Sequence, residues 1–188
     1  VKAAPVLWDK KVTDAGVAQA VVINTGIANA CTGQAGYENA AETAKLAGEA
    51  LNISSDTVLV ASTGVIGFTL PMDVIADGVK KLSGMLKSDV QSAQDAAEAI
   101  LTTDTHPKQI AYETTIGGKT VTFGAMCKGS GMIHPNMCTM LSFITTDVAI
   151  SKEMLQEALS STVTDTYNMI SVDGDTSTND TAILLANG

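Results

Sequence analysis

The stretch from Lys128 to Leu141 reads Lys-Gly-Ser-Gly-Met-Ile-His-Pro-Asn-Met-Cys-Thr-Met-Leu. A glycine-rich, proline-stiffened loop here delivers a small residue, Cys138, and then Thr139 to the mouth of an apolar strand. As plain structure this is a turn entering a buried strand. As chemistry it presents a threonine hydroxyl, a weak nucleophile until a base stands beside it. A threonine at the start of a chain supplies that base itself, because an α-amine titrates near about 7.7–8.0 and is partly neutral at pH 7. Within a chain the same nitrogen is an amide and takes no proton. Thr139 can therefore work in this way only after the Cys138–Thr139 bond breaks, by attack of its own hydroxyl on the Cys138 carbonyl. A strained loop with a small preceding side chain suits such an acyl shift.

Other patterns suggest chemistry and fail on inspection. Gly117-Gly118-Lys119-Thr120 ends like a phosphate-binding loop, but G-x-x-x-x-G-K-[ST] needs glycine where Glu113 stands, and the flanking residues favour a hairpin turn. Gly129-Ser130-Gly131 opens a dinucleotide fingerprint whose third glycine is replaced by His134. His134 and Cys138 have the spacing of metal ligands on a helix, yet Pro135 pushes His134 out of helical conformation, and His106 is the only other histidine. Asp173, Asp175 and Asp180 lack the acidic spacing of a Ca²⁺ loop and read as a solvated loop. No G-x-S-x-G elbow occurs. No metal is expected.

The elements that must position these residues follow from periodicity. A strand is expected over 18–23, broken by the glycines of 24–36, then an Ala-rich helix over 37–51. A short apolar run, 58–61, ends at Ser62-Thr63-Gly64. Pro71 marks a first helical turn, with Val74, Ile75, Val79 and Leu82 at helical spacing. Ser88 and Gln91 form a capping-box pattern ahead of Ala93, Ala97, Ile100 and Leu101. Strands over 109–116 and 120–125 join at Gly117-Gly118 as a hairpin, and 140–145 is a further strand. Ser151 caps a helix bearing Met154, Leu155, Ala158 and Leu159, and 181–188 opens on an apolar run. Strands both between helices and in a hairpin argue for α+β or a layered α/β arrangement over a purely parallel sheet.

Composition sets the frame. With 45% hydrophobic and 16% charged residues among 188, the chain can bury a sizeable core, which excludes intrinsic disorder. A net charge of −9, with 11 scattered Lys and Arg, argues against nucleic acid as a partner. No apolar run approaches the roughly 20 residues of a membrane span, and the opening Val1-Lys2-Ala3-Ala4-Pro5 reads neither as an initiator nor as a signal peptide. Three cysteines, Cys31, Cys127 and Cys138, fit a reducing compartment better than a disulfide framework.

The 128–141 stretch resembles the cleavage segment of the ornithine acetyltransferase family, also called glutamate N-acetyltransferase. Further stretches resemble the family in its own order: Asn24-Thr25-Gly26-Ile27-Ala28-Asn29-Ala30-Cys31-Thr32-Gly33, Ser62-Thr63-Gly64-Val65-Ile66-Gly67, Thr102-Thr103-Asp104-Thr105, and 173–181, Asp-Gly-Asp-Thr-Ser-Thr-Asn-Asp-Thr. The likeness spans nearly the whole chain.

The resemblance implies that Thr139 is the nucleophile exposed by cleavage after Cys138, taking acetyl from N2-acetylornithine as an ester and passing it to glutamate. Thr63 and Gly64 match the oxyanion hole, as a hydroxyl and a backbone N–H aimed at the developing charge. Lys128 matches a substrate-contacting lysine, and Thr102, or its neighbour Thr103, a further substrate contact. Cys138 stands where the family more often has alanine, and both are small. The implied fold is the layered α/β sheet-and-helix sandwich of the family, with 1–188 as one acetyltransferase domain segment that the family continues at both ends. No cofactor is implied, although some members use acetyl-CoA as a second donor. The implied partners are the two small substrates and the associating cut chains, as a heterotetramer in the cytoplasm, with no nucleic acid and no membrane. Two other classes remain open: an amide hydrolase with the same self-exposed threonine, and a non-catalytic scaffold.

Overall fold

The computed structural model describes residues 1–134, 137–138 and 140–188. The chain forms two compact units, Val1–Thr102 and Thr103–Gly188.

In the first unit, helix α1 (Ala4–Ala15) precedes strand β1 (Ala20–Ile27), helix α2 (Gly33–Leu51), strand β2 (Val58–Val65) and helices α3 (Met72–Ser83) and α4 (Val90–Ala99). Sequence periodicity gave no sign of α1. Its boundaries are nonetheless marked by Pro5 in the first turn and by Gly16 at φ 80, whose N–H donates to the Thr13 carbonyl. Pro5, Trp8, Asp9 and Val12 share its buried face. Trp8 Nε1 donates to the Val58 carbonyl at 2.9 Å, and the Val60 N–H donates to Asp9 Oδ1 at 2.8 Å. Two side chains of α1 thus satisfy backbone groups along β2, whose other neighbour is β1.

β1 and β2 pair in parallel from Ala20↔Val58 to Ile27↔Val65. Both strands outrun the sequence expectation, which stopped them at 23 and 61. The polar residues beyond those points hold the ladder together: Ser62 Oγ donates across it to Asn24 Oδ1 at 2.6 Å, and Asn24 Nδ2 donates along its own strand to the Ile27 carbonyl at 2.8 Å. Val58 through Thr63 are all buried, as befits a parallel strand covered on both faces. Helix α2 begins at Gly33, four residues earlier than read. Fully buried Asn29 fixes this entry, with Nδ2 donating to the Gly36 carbonyl at 2.8 Å and Oδ1 accepting from Thr32. A Cβ at Gly36 would stand 2.7 Å from Asn29 Oδ1, so no side chain fits. Helix α4 is capped by Asp89 rather than by the Ser88 expected. The Asp89 carboxylate accepts the Ser92 N–H at 2.7 Å, which moves the start by one residue.

In the second unit, β3 (Lys108–Ile116) and β4 (Lys119–Lys128) form the expected hairpin. Gly117 and Gly118 have φ of 58° and 78°, the two positive values a type I′ turn needs. After β4 come a short ribbon of β5 (Ile133–His134) and β6 (Met137–Cys138), strand β7 (Leu141–Thr146), helix α5 (Lys152–Val163) and strand β8 (Thr181–Ala186). The main sheet has the order β3-β4-β7-β8, with β7 antiparallel to β4 and parallel to β8. Ser151 caps α5 as expected, its Oγ accepting the Met154 N–H at 3.3 Å. The apolar face of that helix is not fully buried within this chain, and Met154 is exposed. The mixture of a parallel pair, a hairpin sheet and covering helices is a mixed α/β fold.

Candidate functional site

The site residues fall in both units, and the geometry of each is fixed by its own sheet. In the first unit, Thr25↔Thr63 and Gly26↔Gly64 are paired near the carboxyl end of the parallel ladder, one step before its last pair, Ile27↔Val65. Gly26 and Gly64 have φ of 103° and 130°, values that side chains strongly disfavour. A Cβ on Gly64 would come within 2.1 Å of the Gly26 carbonyl carbon, so the two backbones meet where only glycine fits. Next to it, Thr63 is 1% exposed, and its hydroxyl has no hydrogen-bond partner among the described residues. A buried donor without a partner is costly, and active sites are where such groups are retained. Sequence reading placed Thr63 and Gly64 in a turn after a strand. They are instead paired positions of β2, just before its last residue Val65, and the carboxyl ends of parallel strands are where α/β folds bind ligands.

In the second unit, Lys128 closes β4 and is paired with Leu141, which opens β7. The chain between them leaves the sheet and returns, and Thr139 lies on this excursion, outside the described residues. Cys138 is in β6, opposite Ile133. Lys128 is only 3% exposed. Burial lowers its proton affinity, the Asp104 carboxylate raises it again, and Lys108 lowers it. Asp104, whose side chain is wholly buried, gathers this corner. Its Oδ1 accepts from Lys108 Nζ at 2.7 Å and from the Gly129 N–H at 2.8 Å, and its Oδ2 lies 4.0 Å from Lys128 Nζ. Of the two adjacent threonines, Thr102 is exposed at the end of the first unit, while Thr103 opens the second and shares a 2.5 Å hydrogen bond with the Ser130 hydroxyl.

Sequence reasoning attached no role to Asp104, although the quoted Thr102–Thr105 stretch contains it. The available signal was an acid four residues before Lys108. Residues 173–176 are exposed, as a solvated loop requires, but the rest of the segment to Asp180 is not. Ser177 and Asn179 are 4% and 5% exposed, and both Asp173 and Asp180 accept backbone N–H groups beside the Lys128–Leu141 excursion. Among the described residues, no three His, Cys, Asp or Glu side chains converge as a metal site would require.

The mixed α/β fold that carries these residues is shared by solved members of one protein family. The chain belongs to the ArgJ family, whose model matches residues 1–188. It is 56% identical over 188 residues to the arginine biosynthesis bifunctional protein ArgJ of Symbiobacterium thermophilum, covering 100% of this chain and 46% of that protein. To the protein of the same name from Lactococcus lactis it is 52% identical over 99% of this chain and 46% of the relative. The chain thus spans about half the length of the curated relatives it matches. Two crystal structures share its fold. The arginine biosynthesis bifunctional protein of Bacillus halodurans superposes with a TM-score of 0.68 at 45% identity, covering 75% of this chain and 72% of that one. Ornithine acetyltransferase of Mycobacterium tuberculosis, complexed with ornithine, gives 0.65 at 37% identity with the same coverage.

Proposed function

We propose that the protein containing this chain transfers an acetyl group from N2-acetylornithine to glutamate in arginine biosynthesis, with acetyl-CoA as a second donor. The observation that carries this reading is the family match across all 188 residues. It is supported by the relatives' bifunctional name and by a family structure that holds ornithine. The reaction begins with self-cleavage. Thr139 Oγ attacks the Cys138 carbonyl carbon, the peptide C–N bond breaks, and water hydrolyses the resulting ester, leaving a Cys138 carboxylate and a free Thr139 amine. That amine then takes the Thr139 hydroxyl proton as Oγ attacks the acetyl carbonyl, and returns it to the departing ornithine amine. The glutamate amine attacks the acetyl ester in turn.

The Thr63 hydroxyl and the Gly64 N–H supply the two donors for the oxyanion of each tetrahedral intermediate. A hydroxyl with no partner among the described residues is available to donate there. Lys128 meets a substrate carboxylate, and Thr102 or Thr103 adds a polar contact. The two cut chains stay associated and pair into a heterotetramer in the cytoplasm, with residues 1–188 as one segment of a single acetyltransferase domain. No cofactor takes part. No helix among the described residues is long and apolar enough to cross a membrane.

Intact mass of the full-length protein beside its Thr139→Ala variant tests this reading. The native sample should resolve into two chains, one beginning Thr-Met-Leu-Ser, and the variant into one. Incubation with N2-acetylornithine should leave an acetyl adduct on the Thr139 chain, discharged as acetylglutamate when glutamate is added. An unbroken native protein with full activity would refute the mechanism, and release of free acetate regardless of glutamate would make it a hydrolase.

A further inference from the structure

The excursion between β4 and β7 is gripped at both ends by one stretch of chain, residues 172–181. At the near end, Ile133 has both backbone groups taken by consecutive residues. Its carbonyl accepts the Val172 N–H at 2.9 Å, and its N–H donates to Asp173 Oδ1 at 3.0 Å. The Met132 N–H donates to the second oxygen, Asp173 Oδ2, at 2.6 Å, and Met132 sits at φ 56, a conformation disfavoured for its side chain. At the far end the arrangement repeats. The Met140 carbonyl accepts the Thr181 N–H at 3.0 Å, and the Met140 N–H donates to Asp180 Oδ1 at 3.3 Å. Ile133 is the residue paired with Cys138, and Met140 is the residue after Thr139. Each carboxylate therefore holds a position directly beside the proposed scissile junction, one across the β5–β6 ribbon and one along the chain.

We infer that Asp173 and Asp180 are positioning residues for self-cleavage, two carboxylates on one loop that hold the Cys138–Thr139 segment by its flanking backbone N–H groups. This rests on the reading of Thr139 given above. An acyl shift inside a chain requires the hydroxyl to face the preceding carbonyl, a geometry that an unrestrained loop leaves within a rotation or two. Hydrogen bonds from backbone N–H to an ionised acceptor, such as Asp173 offers, are among the stronger ones available to hold it, while burial pushes the Asp180 carboxyl up to about 7 and leaves it the weaker holder. The backbone contacts of Asp173 also hold its carboxyl below the usual range, as they would for a group that works ionised.

The number of acceptors separates this role from general support of the fold. Asp180 accepts one N–H of the segment, so asparagine can replace it. Asp173 accepts two on separate oxygens, and asparagine offers only one acceptor oxygen. In freshly synthesised full-length precursor, the first-order rate of chain breakage should fall at least ~10-fold in Asp173→Ala, Asp180→Ala and Asp173→Asn, the scale of a lost charge-assisted hydrogen bond. It should stay within about threefold of the parent in Asp180→Asn. Val12→Ala, a core truncation in the first unit that lowers Tm, should cleave at the parent rate. If the alanine variants fail to fold, the two asparagine variants decide, and equal rates in both overturn the inference. Rates that merely follow Tm across all five proteins overturn it as well. A parent protein that never breaks refutes the Thr139 reading itself and this inference with it.

Discussion

Asp9 lies on α1 with its side chain turned to β2, 7% exposed, and one of its oxygens, Oδ2, has no partner among the described residues. Burial pushes its carboxyl up from 3.8 to about 7, while the hydrogen bond from the Val60 N–H pulls it back slightly. In the unfolded chain the same group ionises near 3.8, so between those values the folded state holds a proton that the unfolded state has released. Stability therefore falls as pH rises from about 4 to about 7 and levels off above. At about 1.4 kcal/mol per pH unit, the loss is roughly 4 kcal/mol. Asp9→Asn keeps an acceptor for the Val60 N–H and cannot ionise. Against this variant, the parent should be nearly equal in urea unfolding at pH 4.5, and less stable by roughly 3–4 kcal/mol at pH 8. Circular dichroism of urea titrations at both pH values measures the difference. A gap that does not change between them would show that Asp9 is ionised in the folded protein, and the burial argument would fail.

Two further outcomes follow from the site. Gly64→Ala places a Cβ 2.1 Å from the Gly26 carbonyl carbon at φ 130, whereas Gly67→Ala, at φ 86, meets nothing within 4 Å. Thermal melts should show the first losing several kcal/mol from strain and overpacking and the second only about 1 kcal/mol, and acetylation of Thr139 should drop ~10²-fold in the first alone. Asp104→Asn removes the carboxylate beside Lys128 and Lys108 while leaving an acceptor for the Gly129 N–H. Denaturant unfolding at pH 7 should register a loss of about 3 kcal/mol, because buried Lys128 loses its neighbouring negative charge, and the loss should shrink toward high pH as the lysine gives up its proton.

The regular elements were legible where one force dominated. The β3–β4 hairpin was written in alternating residues around Gly117-Gly118, and the Ser151 cap in a single hydroxyl. Helix α1 was missed because its buried face includes Asp9, an ionisable residue that periodicity counts as polar, while its carboxyl bonds the β2 backbone. β1 and β2 were cut short for a related reason. Ser62 and Asn24 look like a turn until their side chains are seen to bond one another across the ladder. The proposed roles of Thr63, Gly64, Lys128 and Thr139 rest on motif likeness. Asp104, Asp173 and Asp180 accept hydrogen bonds from backbone groups distant in sequence, and apart from Lys108, four residues after Asp104, nothing local announces their partners.

The packing of α1 against β2 leaves the chain with a built-in reporter. Trp8 is the sole tryptophan, it is 5% exposed, and its indole is tied to the Val58 carbonyl. Light absorbed at the red edge of the protein spectrum is therefore emitted from one place, the seam that secures the strand carrying Thr63 and Gly64. The second unit is silent in that channel, so loosening of the first can be watched by itself in the unlabelled chain.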